Sequence, residues 1–491
     1  MDDLRESLLV FSDVHLGSDL NDRPVTHIRR SACIDRDLVR FLDHYREAPE
    51  GADRWRVVIA GDFIDFIGMS VDAEPSDSLA TTLDEEEREH GLGNSSDHAR
   101  AKLRRVAKRH PDVFEALGSM VARGHALTVV HGNHDVEFHW EDVQTDFRAL
   151  LLAAAERTDE HAELDAQAFC ERIEFNPWFF YWNGVAYIEH GHQYDPFCAT
   201  DFIMAPLSPL DPRRVARGFC DVLLRYVVRP TAGLREAGHE TKGAIDYFLF
   251  GARLGLRGMA RLAMRFAEAV IVLFRLRRAH WNEAARALRA EHERRMALLA
   301  EATRIGKERI RALAALQSPP ITRSIRGILA SVLLDRLALA LLCAMALVVT
   351  GVLGFRSGHF FFASASIALG WILGHRYLAK QRQLDPAEQM ADRASQLARL
   401  LPAAFVVMGH THAPLEKTLS DGAARYINVG AWAEEEPEEG SAPRTHLVIK
   451  VQDGKAVAEL RTWSAEGPKR YGGPPPSAII SLQKQGENAA S

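Results

Sequence analysis

Five short stretches of this chain end in side chains that divalent cations favour: Asp13-Val14-His15, Gly61-Asp62, Gly132-Asn133-His134-Asp135, His190-Gly191-His192 and Gly409-His410-Thr411-His412. In an extended segment, residues two apart point the same way, so Asp13 and His15 can reach one ion together. The candidate ligands are Asp13, His15, Asp62, Asn133, His190, His410 and His412. Imidazole nitrogen mixed with carboxylate and amide oxygen suits Mn, Fe or Zn better than Ca or Mg, which prefer all-oxygen shells. So many ligands exceed the needs of one tetrahedral ion and fit two. A carboxylate such as Asp62 can bridge such a pair at about 3.5–4 Å, the spacing used for in-line displacement at phosphorus.

Each stretch follows an apolar run that reads as a buried strand. Leu8–Phe11 precedes Asp13, Trp55–Ala60 precedes Asp62, and Leu127–Val130 precedes Asn133. Val185–Glu189 delivers His190, and Ala403–Met408 delivers His410. Apolar spacing predicts helices around Ser31–Tyr45, Ala99–Arg123 and Val143–Phe169, with an acidic, Ser- and Gly-rich loop from Asp72 to Asp97. Strands alternating with helices give an α/β fold whose ligands gather where the strands end. Five repeats of the same strand-then-ligand pattern point to one shared site.

In that order the five blocks resemble the calcineurin-like metallophosphoesterase superfamily, over roughly residues 7–200 and 398–463. The resemblance implies a four-layer β-sandwich flanked by helices. It also implies a first metal on Asp13, His15 and His412, a second on Asn133, His190 and His410, and Asp62 as the bridge. A metal-bridging hydroxide would attack phosphorus. His134 would face the leaving oxygen as its proton donor or stabiliser, with Asp135 placed to orient it or to hold the turn. His192 and His139 are candidates for lining the substrate pocket. Among members, the blocks are most similar to bacterial UDP-diacylglucosamine hydrolases, which also carry helical insertions. Those enzymes typically have Arg at the position of His134, which leaves the substrate open.

The overall balance of 60 basic and 66 acidic residues conceals an asymmetry. Residues 201–395 hold 30 Lys and Arg against 16 Asp and Glu, leaving 30 against 50 elsewhere. An acidic body with a basic middle fits a cation site joined to a part that meets anions. Five scattered cysteines without a Cys-x-x-Cys pair make neither a zinc cluster nor a disulfide framework, and fit a reducing compartment. The polar N-terminal residues do not read as a signal peptide.

The chain therefore divides into a metallophosphoesterase part at 1–200, a helical insertion at 201–395, a second metallophosphoesterase part at 396–465, and a disordered tail at 466–491. Within the insertion, Arg253, Arg257, Arg261 and Arg265 recur every four residues among apolar ones, an amphipathic helix suited to an anionic membrane. Ala279–Gln317 reads as one long charged helix. Leu337–Phe355 is uncharged, and its nineteen residues at about 1.5 Å each nearly match a bilayer core of about 30 Å. A shorter run, Phe360–Gly374, completes the expected membrane hairpin across 337–374. Basic residues on its outer flanks place both ends, and the site, on the cytoplasmic face of a bacterial inner membrane.

The expectation is a dinuclear, metal-dependent phosphoric ester hydrolase acting on a phosphoester or pyrophosphate, membrane-associated or lipid-linked. The alternative is a nuclease or nucleotide phosphodiesterase that uses the basic insertion to hold nucleic acid. The oligomeric state is open.

Overall fold

The structure is a computed structural model. It describes residues 6–22, 32–47, 54–157, 164–182, 184–231, 234, 250, 253–332, 334–354, 360–380, 386–419, 422, 424–433, 442–452, 454–472 and 478–481. The fold is mixed α/β, with two sheets and a large helical region between their halves.

The first sheet is built on β1 (Glu6–Phe11), β2 (Arg54–Ala60), β3 (Ala126–Val130) and β4 (Ile173–Asn176), which pair in parallel. The second contains β5 (Phe179–Trp182), β6 (Gly184–Glu189), β7 (Ala403–Met408), β8 (Leu415–Thr418) and β9 (Arg425–Asn428), in the order β5-β6-β7-β9-β8. On the other side of β1, the first sheet continues antiparallel through β10 (Arg444–Gln452) and β11 (Lys455–Ser464). Val-, Ile- and Ala-rich runs buried on both faces suit these central positions, because both faces are covered.

Three buried clusters show how the parts pack. Leu8, Val10 and Val58 of the first sheet share a core with Ile188, Phe405 and Ile427 of the second. On the first sheet's other face, Phe11, Val57 and Val129 pack against Phe41, Leu117 and Phe147 of helices Ala32–Glu47, Pro111–Ala122 and Glu141–Glu156. On the second sheet's other face, Tyr187, Val406 and Tyr426 meet Leu397 of helix Pro386–Leu400 and Met296 of helix Glu283–Ala302. Burial at roughly 25 cal/mol per Å² of apolar surface is the main force holding these layers.

Several expectations change. The stretch expected as one helix from Ala99 to Arg123 divides at His110, where Pro111 opens a second helix; proline lacks the N–H needed inside a helix but suits its first turn. Ala279–Gln317 is likewise not one helix. Asn282 caps a new start by accepting from the Ala285 amide at 2.7 Å, and Gly306 precedes helix Lys307–Ala314. Val143–Phe169 contains the end of one helix and the start of another, Ala166–Glu171. The tail expected to be disordered adds β12 (Gly467–Arg470), for which Gly467 at φ +103° lets the chain reverse, and β13 (Ala478–Ser481), both antiparallel to β11.

The two apolar runs form helices Leu334–Gly354 and Phe360–Lys380, the second longer than its apolar stretch. They lie side by side, so that a Cβ on Gly374 would stand 2.9 Å from Leu339. By length and composition, Leu334–Val352 is sufficient to cross a membrane, and only 6% of that window is buried. The turn expected between the helices, Arg356–His359, lies outside the described residues.

Candidate functional site

The strands that carry the ligand motifs end at one edge of the paired sheets, and backbone bonds join their ends. The Asp13 amide donates to the Gly61 carbonyl at 3.1 Å, and the Gly409 amide to the His190 carbonyl at 3.0 Å. There is no room for side chains between them. A Cβ on Gly61 would lie 2.4 Å from His190 Nδ1, and one on Gly409 would lie 2.3 Å from Ser12 Oγ.

The backbone carries the clearest mark of function. Among the described residues, six other than glycine have positive φ, and five of them are Asp13, His15, Asp62, His410 and His412, at 49–68°. The left-handed region costs an L-residue roughly 1–2 kcal/mol. Strain of this kind persists where the surroundings impose it, and it concentrates at working sites.

The side chains converge accordingly. One possible ligand atom from each of Asp13, His15 and His412 falls within 4.8 Å of the other two, and the same holds for Asp13, Asp62 and His190. His190 Nε2 lies 3.2 Å from Asp62 Oδ2 and 3.1 Å from Asn133 Oδ1, while its Nδ1 is tied to the Ala60 carbonyl at 2.9 Å. His412 Nε2 approaches Asp13 Oδ1 at 3.1 Å. The His410 ring stands 5.2 Å from that of His190 with Nε2 on Asp195 at 3.2 Å, which leaves Nδ1 to offer.

Charge at the site is tightly coupled. Burial pushes the Asp13 carboxyl up, but His412 and His190 outweigh it and hold it at about 2. Burial would also raise Asp62, which His190 and His134 drive well below the usual carboxylate range. Burial disfavours the charged form of His190, yet Asp62 and Asp13 push its pKa up to about 9. For His15, burial and then His134 bring it down to about 4.

The residues present form clusters that fit a divalent metal ion. Asp13 Oδ1 is fully buried and receives no hydrogen bond, although imidazole nitrogens surround it. Carboxylate, amide oxygen and imidazole around a shared carboxylate is the donor set expected for Mn, Fe or Zn.

His134 stands beside this cluster. Its backbone N–H donates to Asp62 Oδ1 at 2.8 Å, and its Nδ1 meets Asp65 Oδ1 at 2.7 Å. The partner that orients His134 is thus Asp65. Of the two roles open to Asp135, orienting His134 or holding the turn, the geometry favours the second: it is fully buried and accepts from the amides of Gly132 and Phe63 at 2.6 and 2.7 Å. His192, 3% exposed, packs with its ring 5.4 Å from that of His190. His139 ends a short turn, Val136–His139, beside Trp140, and is outside the ligand clusters.

Sequence reasoning found Asp65, as the end of Gly61-Asp62-x-x-Asp65, without a role for it, and missed Asp195 and Arg229. Asp195 and Arg229 reach the site only through tertiary structure. Beside Asn133, the pocket wall is mostly apolar, formed by Ile67, Val136, Phe197 and Val215.

No family model matches the chain, and no curated protein matches it. Among solved structures, wild-type Vps29 complexed with zinc, from Entamoeba histolytica, is similar at 17% identity and a TM-score of 0.14. That match covers 19% of this chain and 46% of the other, so the chain spans about half the length of the structure it matches. What the site is rests on its own geometry: clustered metal-ligating groups on a mixed α/β fold.

Proposed function

We propose that this chain is a dinuclear metal-dependent phosphoesterase with the four-layer sandwich of the calcineurin-like superfamily, acting on a membrane-associated phosphoester or pyrophosphate. The observation that carries the reading is the strained, non-glycine backbone at Asp13, His15, Asp62, His410 and His412, together with the gathering of the His15, His190 and His412 side chains around Asp13 and Asp62.

In this reading Asp13, His15 and His412 hold one cation, Asn133, His190 and His410 a second, and Asp62 both. Bound there, two divalent cations supply water activation near neutral pH and neutralise charge on phosphoryl oxygens. The protein's own residues do the rest. The Ala60 carbonyl fixes the His190 ring, and Ser12 donates to Asp13 to hold its carboxylate. Asp65 fixes the His134 ring by Nδ1, which makes Nε2 the atom to protonate or stabilise the departing oxygen. His412, with a side chain 40% exposed, marks the open side where substrate enters.

Membrane attachment is supported by two outward apolar surfaces. Leu341, Leu342, Met345 and Val348 are exposed on one helix of the hairpin, and Phe361, Phe362, Ile372 and Leu373 on the other. Helix Gly255–Ala279 exposes Leu256, Met264 and Ile271 alongside Arg257, Arg261 and Arg275. Apolar groups between the arginines favour an anionic bilayer over nucleic acid, since a phosphate backbone rewards the charges alone. We place the site on the cytoplasmic face.

The test compares turnover of bis-p-nitrophenyl phosphate and UDP-diacylglucosamine by Mn-loaded protein, with Asp62→Ala as control. The reading requires hydrolysis of at least one, abolished by Asp62→Ala. Turnover that survives Asp62→Ala would reject the shared metal site.

A further inference from the structure

The insertion does more than approach the site; one of its arginines is built into it. Its first part is fastened by three others to the short helix Glu85–His90 and the residues just after it. Arg214 pairs with Glu87 at 2.7 Å, Arg217 and Arg225 both pair with Glu86, and Arg225 also donates to the Gly91 and Leu92 carbonyls. Arg225 lies in a single wide turn, Leu224–Val228, with i→i+5 bonding. Such turns are rare and are frequently found at functional sites. Arg229 caps this turn and is 2% exposed.

Arg229 reaches two parts of the site at once. One terminal nitrogen donates to the Ser18 carbonyl at 2.9 Å, on the loop that follows Asp13 and His15. The other meets Asp65 Oδ2 at 3.3 Å. The opposite oxygen of that carboxylate meets His134 Nδ1 and also accepts from the Gly68 amide at 2.7 Å. The fit is close, since a Cβ on Gly68 would come within 2.1 Å of both Arg229 and Asp65. A planar guanidinium with two donors in a fixed fork suits this double contact; an ammonium would not reproduce it.

We propose that Arg229 is a positioning residue for the reaction: it fixes the Asp65 carboxylate, and through it the His134 ring, so that the helical insertion completes the site and is required for the chemical step. This rests on the phosphoesterase reading. It assigns the insertion a second task, separate from membrane attachment.

The experiment compares wild type, Arg229→Ala and Arg229→Lys as full-length, metal-loaded proteins. In Arg229→Ala, kcat should fall on the order of 10–100-fold, the scale of misplacing a reacting group by about 1 Å. KM and bound metal should stay at wild-type values. Arg229→Lys should fall between the two, and millimolar guanidinium chloride should restore part of the Arg229→Ala rate where equal sodium chloride does not. A wild-type kcat in Arg229→Ala, or a loss that tracks loss of metal and is not rescued, would overturn the proposal. Inactive wild-type protein would instead reject the phosphoesterase reading, and the arrangement would then be judged without turnover. The His134 Nδ1–H proton, identified by its absence in His134→Gln, should be shielded from exchange in wild type and lost to exchange in Arg229→Ala. Its persistence there would overturn the proposal too.

Discussion

Two glycine substitutions of similar stability cost should separate completely in function. A Cβ on Gly132 would lie 2.0 Å from Asp62 Oδ1 and 2.6 Å from the Asp62 amide nitrogen. The second atom is backbone, in a loop bonded to Asp13 and His15, so it cannot move aside cheaply. Overpacking of this kind costs about 1–3 kcal/mol, and here its strain falls on the carboxylate proposed to bridge two ions. Gly124 is the matched control. It sits at φ +94°, and a Cβ there would have nothing within 4 Å, so alanine meets backbone strain of roughly 1–2 kcal/mol and no neighbour. We predict that Gly132→Ala and Gly124→Ala each lower the melting temperature in EDTA by a few degrees. With Mn present, Gly124→Ala should regain wild-type metal content and turnover, while Gly132→Ala should lose at least tenfold in both. Equal metal affinity in the two variants would refute the reasoning.

Three further outcomes follow from other parts of the molecule. Burial, then Arg461, holds the His446 imidazole down at about 3, with its Nε2 on Tyr45 Oη at 2.9 Å. Below the ordinary histidine value of about 6.5 the unfolded chain therefore binds a proton that the folded chain refuses, so stability falls as pH drops from there toward 3. His446→Gln should flatten that acid limb by about 1.4 kcal/mol per pH unit in urea titrations. Asp135→Asn places an amide group where one of two backbone donors needs an acceptor, and should destabilise by about 1–3 kcal/mol in the same assay. Leu341→Lys together with Val348→Lys should release the protein from vesicles into the soluble fraction on flotation; unchanged flotation would argue against the hairpin as the anchor.

The ligand motifs were legible because each follows directly on a buried apolar run, and the parallel strands of two packed sheets bring such ends together. Asp13 and His15 reach the same cluster, but through left-handed backbone at both residues and not through the extended segment their spacing suggested. The roles behind the ligands were harder to read. Asp135 is adjacent to His134 in sequence, but its carboxylate turns inward to two amides, and only the loop's three-dimensional path brings Asp65 to the imidazole. Arg229 lies 164 residues from Asp65, in a segment whose charge pattern pointed to a surface. The helix boundaries at Asn282 and Gly306 had visible signals, a capping side chain and a glycine, which the strong charge periodicity around them obscured. The tail's pairing was hidden by its prolines, although Gly467 supplies the turn that β12 needs.

The most direct test of the central claim is the metal content of purified protein, measured by mass spectrometry after dialysis against Mn and then metal-free buffer. The account predicts two ions per chain in wild type and a loss of both, or of all but weak binding, in Asp62→Ala. One ion or none in wild type, or two retained tightly in Asp62→Ala, would contradict a dinuclear centre bridged by Asp62.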